Sequence, residues 1–74
     1  MASKLTSYIG KTIRTLRQNA GLSQEQFADK AGLHRTYVGS LERGERNPSV
    51  ETLLRVAKAL SVPLRSLLPG GDLD

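Results

Sequence analysis

The sequence predicts an all-α fold: five short helices packed into one compact bundle. Three observations carry that expectation. Leu5, Ile9, Ile13, Leu16 and Ala20 recur at steps of 4, 4, 3 and 4, the period of an amphipathic helix. Start and stop residues then punctuate the chain at short intervals, at Ser23, Gly32, Gly44, Ser49 and Pro63. No stretch alternates apolar and polar residues over the length of a strand.

Helix 1 is expected over about residues 5–20, with Gly10 a weak point inside it and Gly21 at the left-handed position that ends it. Ser23 to Gln26 reads S-x-x-Q, a capping box in which each side chain bonds the other's amide. Leu22 and Phe27 occupy the places of a hydrophobic staple around it. Helix 2 then runs to about Ala31, with Phe27, Ala28 and Ala31 inward, and Gly32 makes a sharp turn. Leu33 and Val38 form a second staple, and helix 3 starts after His34. At about 100° per residue, Val38 and Leu41 face inward and Thr36, Ser40 and Arg43 outward. Gly39 would stabilise an isolated helix less than alanine, so this face is better explained by contact with another surface.

The polar loop GERNPS follows. Ser49 is the expected N-cap of helix 4, with Glu51 favourable in its first turn. Leu53, Leu54, Val56, Ala57 and Leu60 give that helix a broad apolar stripe. Pro63 suits the start of a short helix 5 over Leu64–Leu68, which Pro69 and the two glycines stop. Residues 1–69 are therefore expected to form one domain, and 70–74 a disordered acidic tail.

Composition narrows the function. A 74-residue chain buries only about 60% of its extended surface, so its core is marginal. With no cysteine there is no disulfide or thiolate metal site to support it, which leaves helix packing and self-association. No apolar run approaches the roughly 20 residues of a membrane span, and MASKLTSYIG lacks the apolar centre of a signal peptide. A cytoplasmic location is expected, with no membrane partner. The net charge is +4, and over residues 1–71 eleven lysines and arginines outnumber five carboxylates. A basic surface of this kind suits a polyanion.

Catalysis has little to work with. There is a single histidine, no paired ligand spacing for zinc, and no glycine-rich phosphate loop after a strand. Glu25, Asp29, Glu45 and Glu51 read as solvated charges. Neither a cofactor nor a small-molecule ligand is expected. His34 has two readings, a residue at the helix 3 N-cap and a contact to phosphate or base. The arrangement of helix, glycine turn and polar helix over Gln24–Asn47 is what a DNA-reading helix-turn-helix needs: one helix braces and the next offers polar side chains to base edges.

At this point the residues resemble a known family. The stretch SQEQFADKAGLHRTYVGSLERGERNPSVETLLRVAKAL follows the lambda-repressor/Cro-type helix-turn-helix pattern, also called the XRE family. Its most specific parts are the S-Q-E start, the A-G-L turn and E-R-G-x-R-N-P-S, and the likeness runs from about Ile9 to Leu68. With R-T-Y and E-R-G-x-R-N, the chain looks especially like the small controller proteins of restriction-modification systems. The resemblance implies a five-helix bundle that binds a palindromic operator in the DNA major groove as a homodimer. RNA polymerase is a further candidate partner of such a regulator.

The resemblance also implies residue roles. Arg35 and Thr36 would reach base edges, and an arginine can pair bidentately with guanine O6 and N7. Ser40 would touch a base one turn on, and Tyr37 would bond phosphate, read deformed DNA or pack on helix 2. Gln24, His34, Arg43, Arg46 and Asn47 would hold phosphates and set register, although His34 departs from the small polar residue common there. Arg17 and Glu42 match a structural ion pair that locks the reading helix to its scaffold. Leu64, Leu67 and Leu68 on helix 5 are the expected dimer interface, with Leu67 the first of them to be claimed by the monomer core. A different class of reading stays open beside this one: an antitoxin-type interaction module that represses its own operon, because such modules carry the same fold.

Overall fold

The computed structural model describes residues 3–70. Four α-helices follow one another: α1 (Lys4–Asn19), α2 (Gln24–Ala31), α3 (Arg35–Glu42) and α4 (Val50–Leu60). A single 3₁₀ turn, Leu64–Leu67, comes after them, and no strand occurs among the described residues. The element expected as a fifth α-helix is thus one tight turn. Leu68 precedes Pro69, whose ring disfavours the α conformation at that position, and Leu68 is indeed extended at φ −111°, ψ 150°. Five residues separate the two prolines, and with Leu68 extended the remaining four form one 3₁₀ turn. Of the acidic tail expected at 70–74, residues 71–74 lie outside the described residues.

Each α-helix opens on a side chain that accepts from its first turn. Ser3 Oγ accepts from the Thr6 amide at 3.1 Å and Thr6 Oγ1 accepts in return from the Ser3 amide at 2.9 Å. The Ser23–Gln26 box has the same form, at 3.0 and 2.9 Å. Ser49 Oγ accepts from Thr52 at 3.1 Å. Each such cap is worth roughly 1 kcal/mol, which matters in helices of only 8 to 16 residues. Gly32, at φ 71°, supplies the left-handed turn between α2 and α3 that a residue with a side chain would resist.

The core is one cluster built from every element: Ile9 and Ile13, Phe27 and Ala28, Val38 and Leu41, Val56 and Leu60, and Leu67 of the 3₁₀ turn. The buried stripe of α1 is rotated from the one its apolar spacing suggested. Ile9, Gly10, Ile13 and Arg17 are buried, whereas Leu5 and Ala20 are exposed and Leu16 only flanks the core. Gly10 is the reason. A Cβ there would lie 2.4 Å from Leu41 O and 2.8 Å from Glu42 O, so α1 and α3 touch backbone to backbone at this point. What looked like a weak spot in a helix is the crossing that seats α3. On α4, Leu54 is 52% exposed and stands outside the stripe assigned to it.

Candidate nucleic-acid interface

The site begins with how α3 is held. Arg17 Nε donates to Glu42 Oε2 at 2.6 Å and Nη2 donates to Glu42 Oε1 at 3.1 Å. The pair is nearly dry, with side-chain exposures of 10% and 3%. Two further bonds complete it: Arg17 Nη1 donates to Leu22 O at 2.8 Å, and Gln24 Nε2 donates to Glu42 Oε1 at 3.1 Å. One carboxylate on α3 is therefore gripped by α1 and by the first residue of α2. No buried side-chain nitrogen or oxygen among the described residues lacks a partner. A buried pair helps only when its remaining bonds are made, and here they are.

With its C-terminal end fixed in this way, α3 exposes its first turn. Arg35 and Thr36 are both exposed. Arg35 Nη1 lies 3.4 Å from Glu25 Oε2, but both side chains are about two-thirds exposed, so the contact holds Arg35 only weakly. His34 is the N-cap: its Nδ1 accepts from the Thr36 amide at 3.1 Å, which leaves Nε2 as the ring atom free to donate outward. Its two readings are thus compatible on one ring. Gly39 presents no side chain, and the Gln24 amide and the Arg43 guanidinium lie over it.

The loop after α3 carries the remaining cations. Arg46 stacks over the Tyr37 ring, 5.8 Å from its centroid, a cation–π contact at a half-buried tyrosine that also packs against the core. Arg43 donates twice to Glu45, from Nε at 2.9 Å and Nη2 at 3.1 Å. That exchange holds the Glu45 carboxyl below its ordinary value and raises Arg43 above its own, first through the hydrogen bond and also through the attraction of opposite charges. Asn47 is exposed beside them. Arg35, Thr36, Arg43, Arg46 and Asn47 thus form the exposed part of α3 and its loop, with Gln24 at the edge.

A helix-turn-helix family model (HTH_3) matches residues 13–67. The chain belongs to the helix-turn-helix family. Over 60 residues it is 48% identical to control protein C.SmaI of Serratia marcescens, covering 81% of this chain and 71% of that one. The crystal structure of the restriction-modification controller protein C.AhdI from Aeromonas hydrophila matches with a TM-score of 0.83 at 44% identity, covering 85% of this chain and 96% of that one. The biofilm master regulator SinR, solved in complex with DNA, matches with a TM-score of 0.77 at 37% identity, over 80% of this chain and 95% of that one. The chain is an XRE-type helix-turn-helix DNA-binding regulator and not an enzyme. None of its described helices is long and apolar enough to cross a membrane.

Two residues of the helix-turn-helix chain stand elsewhere than the sequence suggested. Ser40 does not project to the outside; it is buried, and its Oγ donates to Tyr37 O at 2.8 Å. The 100° rule placed it between two exposed residues, yet only 8% of it is exposed. Leu67 is 0% exposed and belongs to the monomer core, so it is not available to a second subunit. Two contributions have only an indirect signal in the sequence. Gln24 reaches Glu42, 18 positions away, and Gly10 sets the height of α3. For Gln24 the clue was its place at the first turn of a capped helix; for Gly10 it was the residue's presence inside a helix that had no local use for it.

Proposed function

We propose that the protein is a homodimeric transcriptional regulator of the restriction-modification controller type, reading a two-fold symmetric operator through α3. One observation carries this reading: the Arg17–Glu42 pair anchors α3 at its C-terminal end while Arg35 and Thr36 stand exposed at its start. In a docked helix-turn-helix the residues opening the second helix meet base edges. Arg35 and Thr36 are the base readers on this proposal, and Tyr37 senses DNA deformation. His34 through Nε2, Gln24, Arg43, Arg46 and Asn47 contact phosphates and fix the register. Residues 1–69 form the DNA-binding domain.

A single α3 reads too few base pairs to select one site in a genome, and a two-fold pair solves this. Leu68 is 36% exposed and Leu64 is half-buried at the 3₁₀ turn, and these two supply the proposed contact between copies. Val50, 65% exposed, and Leu54 stand one turn apart on α4 and add to the uncovered apolar surface. The protein acts in the cytoplasm at the nucleoid, with RNA polymerase as a second partner once bound. The names of the relatives favour this regulator over an antitoxin.

Selection of bound duplexes from a random pool by the purified protein alone, followed by footprinting, tests the proposal. A pair of inverted half-sites centred about one DNA turn apart is the expected result. A protein that retains no duplex without a second protein added would overturn it.

A further inference from the structure

Between α1 and the α2–α3 unit lies an open groove of about 480 Å³. Ser7, Lys11 and Arg14 line it from α1, and Gln24, Gly39 and Arg43 from the other side. The three α1 residues are spaced i, i+4, i+7, so they form one stripe along the helix. Its floor is the Arg17–Glu42 pair, whose carboxylate is already taken up by three hydrogen bonds. Lys11 and Arg14 are exposed, and among the described residues neither has a carboxylate within ion-pair distance. In this they differ from Arg17, Arg35, Arg43 and Arg55, each of which has one. At Gly39 the groove meets α3, with the Gln24 amide and the Arg43 guanidinium lying over the backbone.

We propose that Lys11 and Arg14 bind the phosphodiester backbone of DNA, carrying the interface from α3 across this groove onto α1. The inference rests on the DNA-reading role of α3. A duplex lying along α3 brings one strand's backbone past Gly39 and Gln24, where two unpaired cations stand on the far wall. Charged and polar residues and Gly39 line the groove, with no aromatic or aliphatic residue among them, so it suits a phosphate chain better than an apolar small molecule. Contacts of this kind add affinity and register and carry no sequence information.

The test compares binding across a range of salt concentrations for a duplex selected by the wild-type protein and for a random duplex. The variants are Lys11→Ala/Arg14→Ala, the charge-keeping Lys11→Arg/Arg14→Lys, and Lys30→Ala/Lys58→Ala. The last pair is exposed, lines a separate concavity, and removes the same net charge. Lys11→Ala/Arg14→Ala should weaken both duplexes by a like factor and reduce the log–log salt slope by about 0.9 for each phosphate lost. The charge-keeping pair should retain the wild-type slope, and Lys30→Ala/Lys58→Ala should alter it by less than half as much. Equal slope changes from the two alanine pairs, or none from Lys11→Ala/Arg14→Ala, would overturn the α1 contact while leaving α3 as the reader. A wild type that selects no duplex at all would remove both.

Discussion

Arg17 and Glu42 stand 25 positions apart in sequence and share two hydrogen bonds of 2.6 and 3.1 Å in a nearly dry setting. The pair couples the order of the fold to the pose of the reading helix. Arg17→Met strands a buried carboxylate and should cost about 3–5 kcal/mol, whereas an exposed pair would cost under about 1. Glu42→Leu alone should also destabilise, because it leaves the guanidinium with only Leu22 O. The double substitution replaces a buried pair with apolar volume and should lose far less than the sum of the two. Urea denaturation of the four proteins measures this, and strictly additive losses would show that the side chains act independently.

Gly10→Ala tests the crossing of α1 and α3. Intrinsic helix propensity favours alanine by about 1 kcal/mol. The new Cβ, however, would meet two carbonyl oxygens at 2.4 and 2.8 Å, and backbone cannot yield as a flexible side chain can. A net loss of roughly 1–3 kcal/mol is expected, as for other overpacked sites. A higher melting temperature for the alanine variant would mean that α1 and α3 part easily and that Gly10 does not fix the height of α3.

Arg35→Ala should lose about 1–3 kcal/mol of specific binding and relax the preference at one base position. Stability should hardly change, because the only side-chain partner of Arg35 among the described residues is an exposed glutamate 3.4 Å away. Parallel titrations of selected and random duplexes separate the two roles open to this arginine. An unchanged ratio of the two affinities would make it a phosphate contact.

On the proposed contact of Arg43 with phosphate, Glu45 competes with DNA for it. Its carboxylate takes both guanidinium bonds in the free protein, so phosphate must displace it or bind beside it. Glu45→Gln should therefore tighten binding to selected and random duplexes alike. The pH dependence follows from the lowered Glu45 value. A carboxyl whose value is depressed keeps its pairing in full above the ordinary value, and loses it only as pH falls through the depressed one. Between about pH 5.5 and pH 8 the ratio of variant to wild-type affinity should thus stay constant. A ratio that drifts across this range would assign the effect to another group.

The sequence disclosed most of the local structure and less of the contacts between elements. Ser23 with Gln26, Ser49 and the turn at Gly32 are local signals, resolved within four residues, and all three stand where the spacing puts them. The burial of Ser40 and of Leu67 belongs to the folded chain as a whole, which helical periodicity does not contain. Gly10 decides how closely α1 approaches α3, and its effect is visible only once Leu41 and Glu42 lie opposite it. The resemblance gives Tyr37 and Arg46 separate roles, yet they form one stacked unit. Their joining follows from the path of the loop after Gly44, which no pattern in the chain specifies.

The proposed two-fold assembly gives the last prediction. Leu64 is half-buried and packs against the core, so Leu64→Glu would weaken the fold as well as any contact between copies. Leu68→Glu is the cleaner test, because this side chain is exposed and lies outside the core cluster. It should give a folded monomer whose melting temperature, unlike that of the wild type, does not depend on protein concentration, with greatly weakened binding to a full palindrome. Binding to one isolated half-site should match the wild type, since α3 and its Arg17–Glu42 anchor are untouched. Sedimentation of wild type and variant at micromolar concentration, with and without the palindrome, reads both effects. If the two α3 copies enter successive major grooves, half-sites about 34 Å apart should bind best, and a half-turn insertion between them should reduce wild-type binding to the level of Leu68→Glu. A wild-type monomer that binds a half-site as tightly as the palindrome would rule the dimer out.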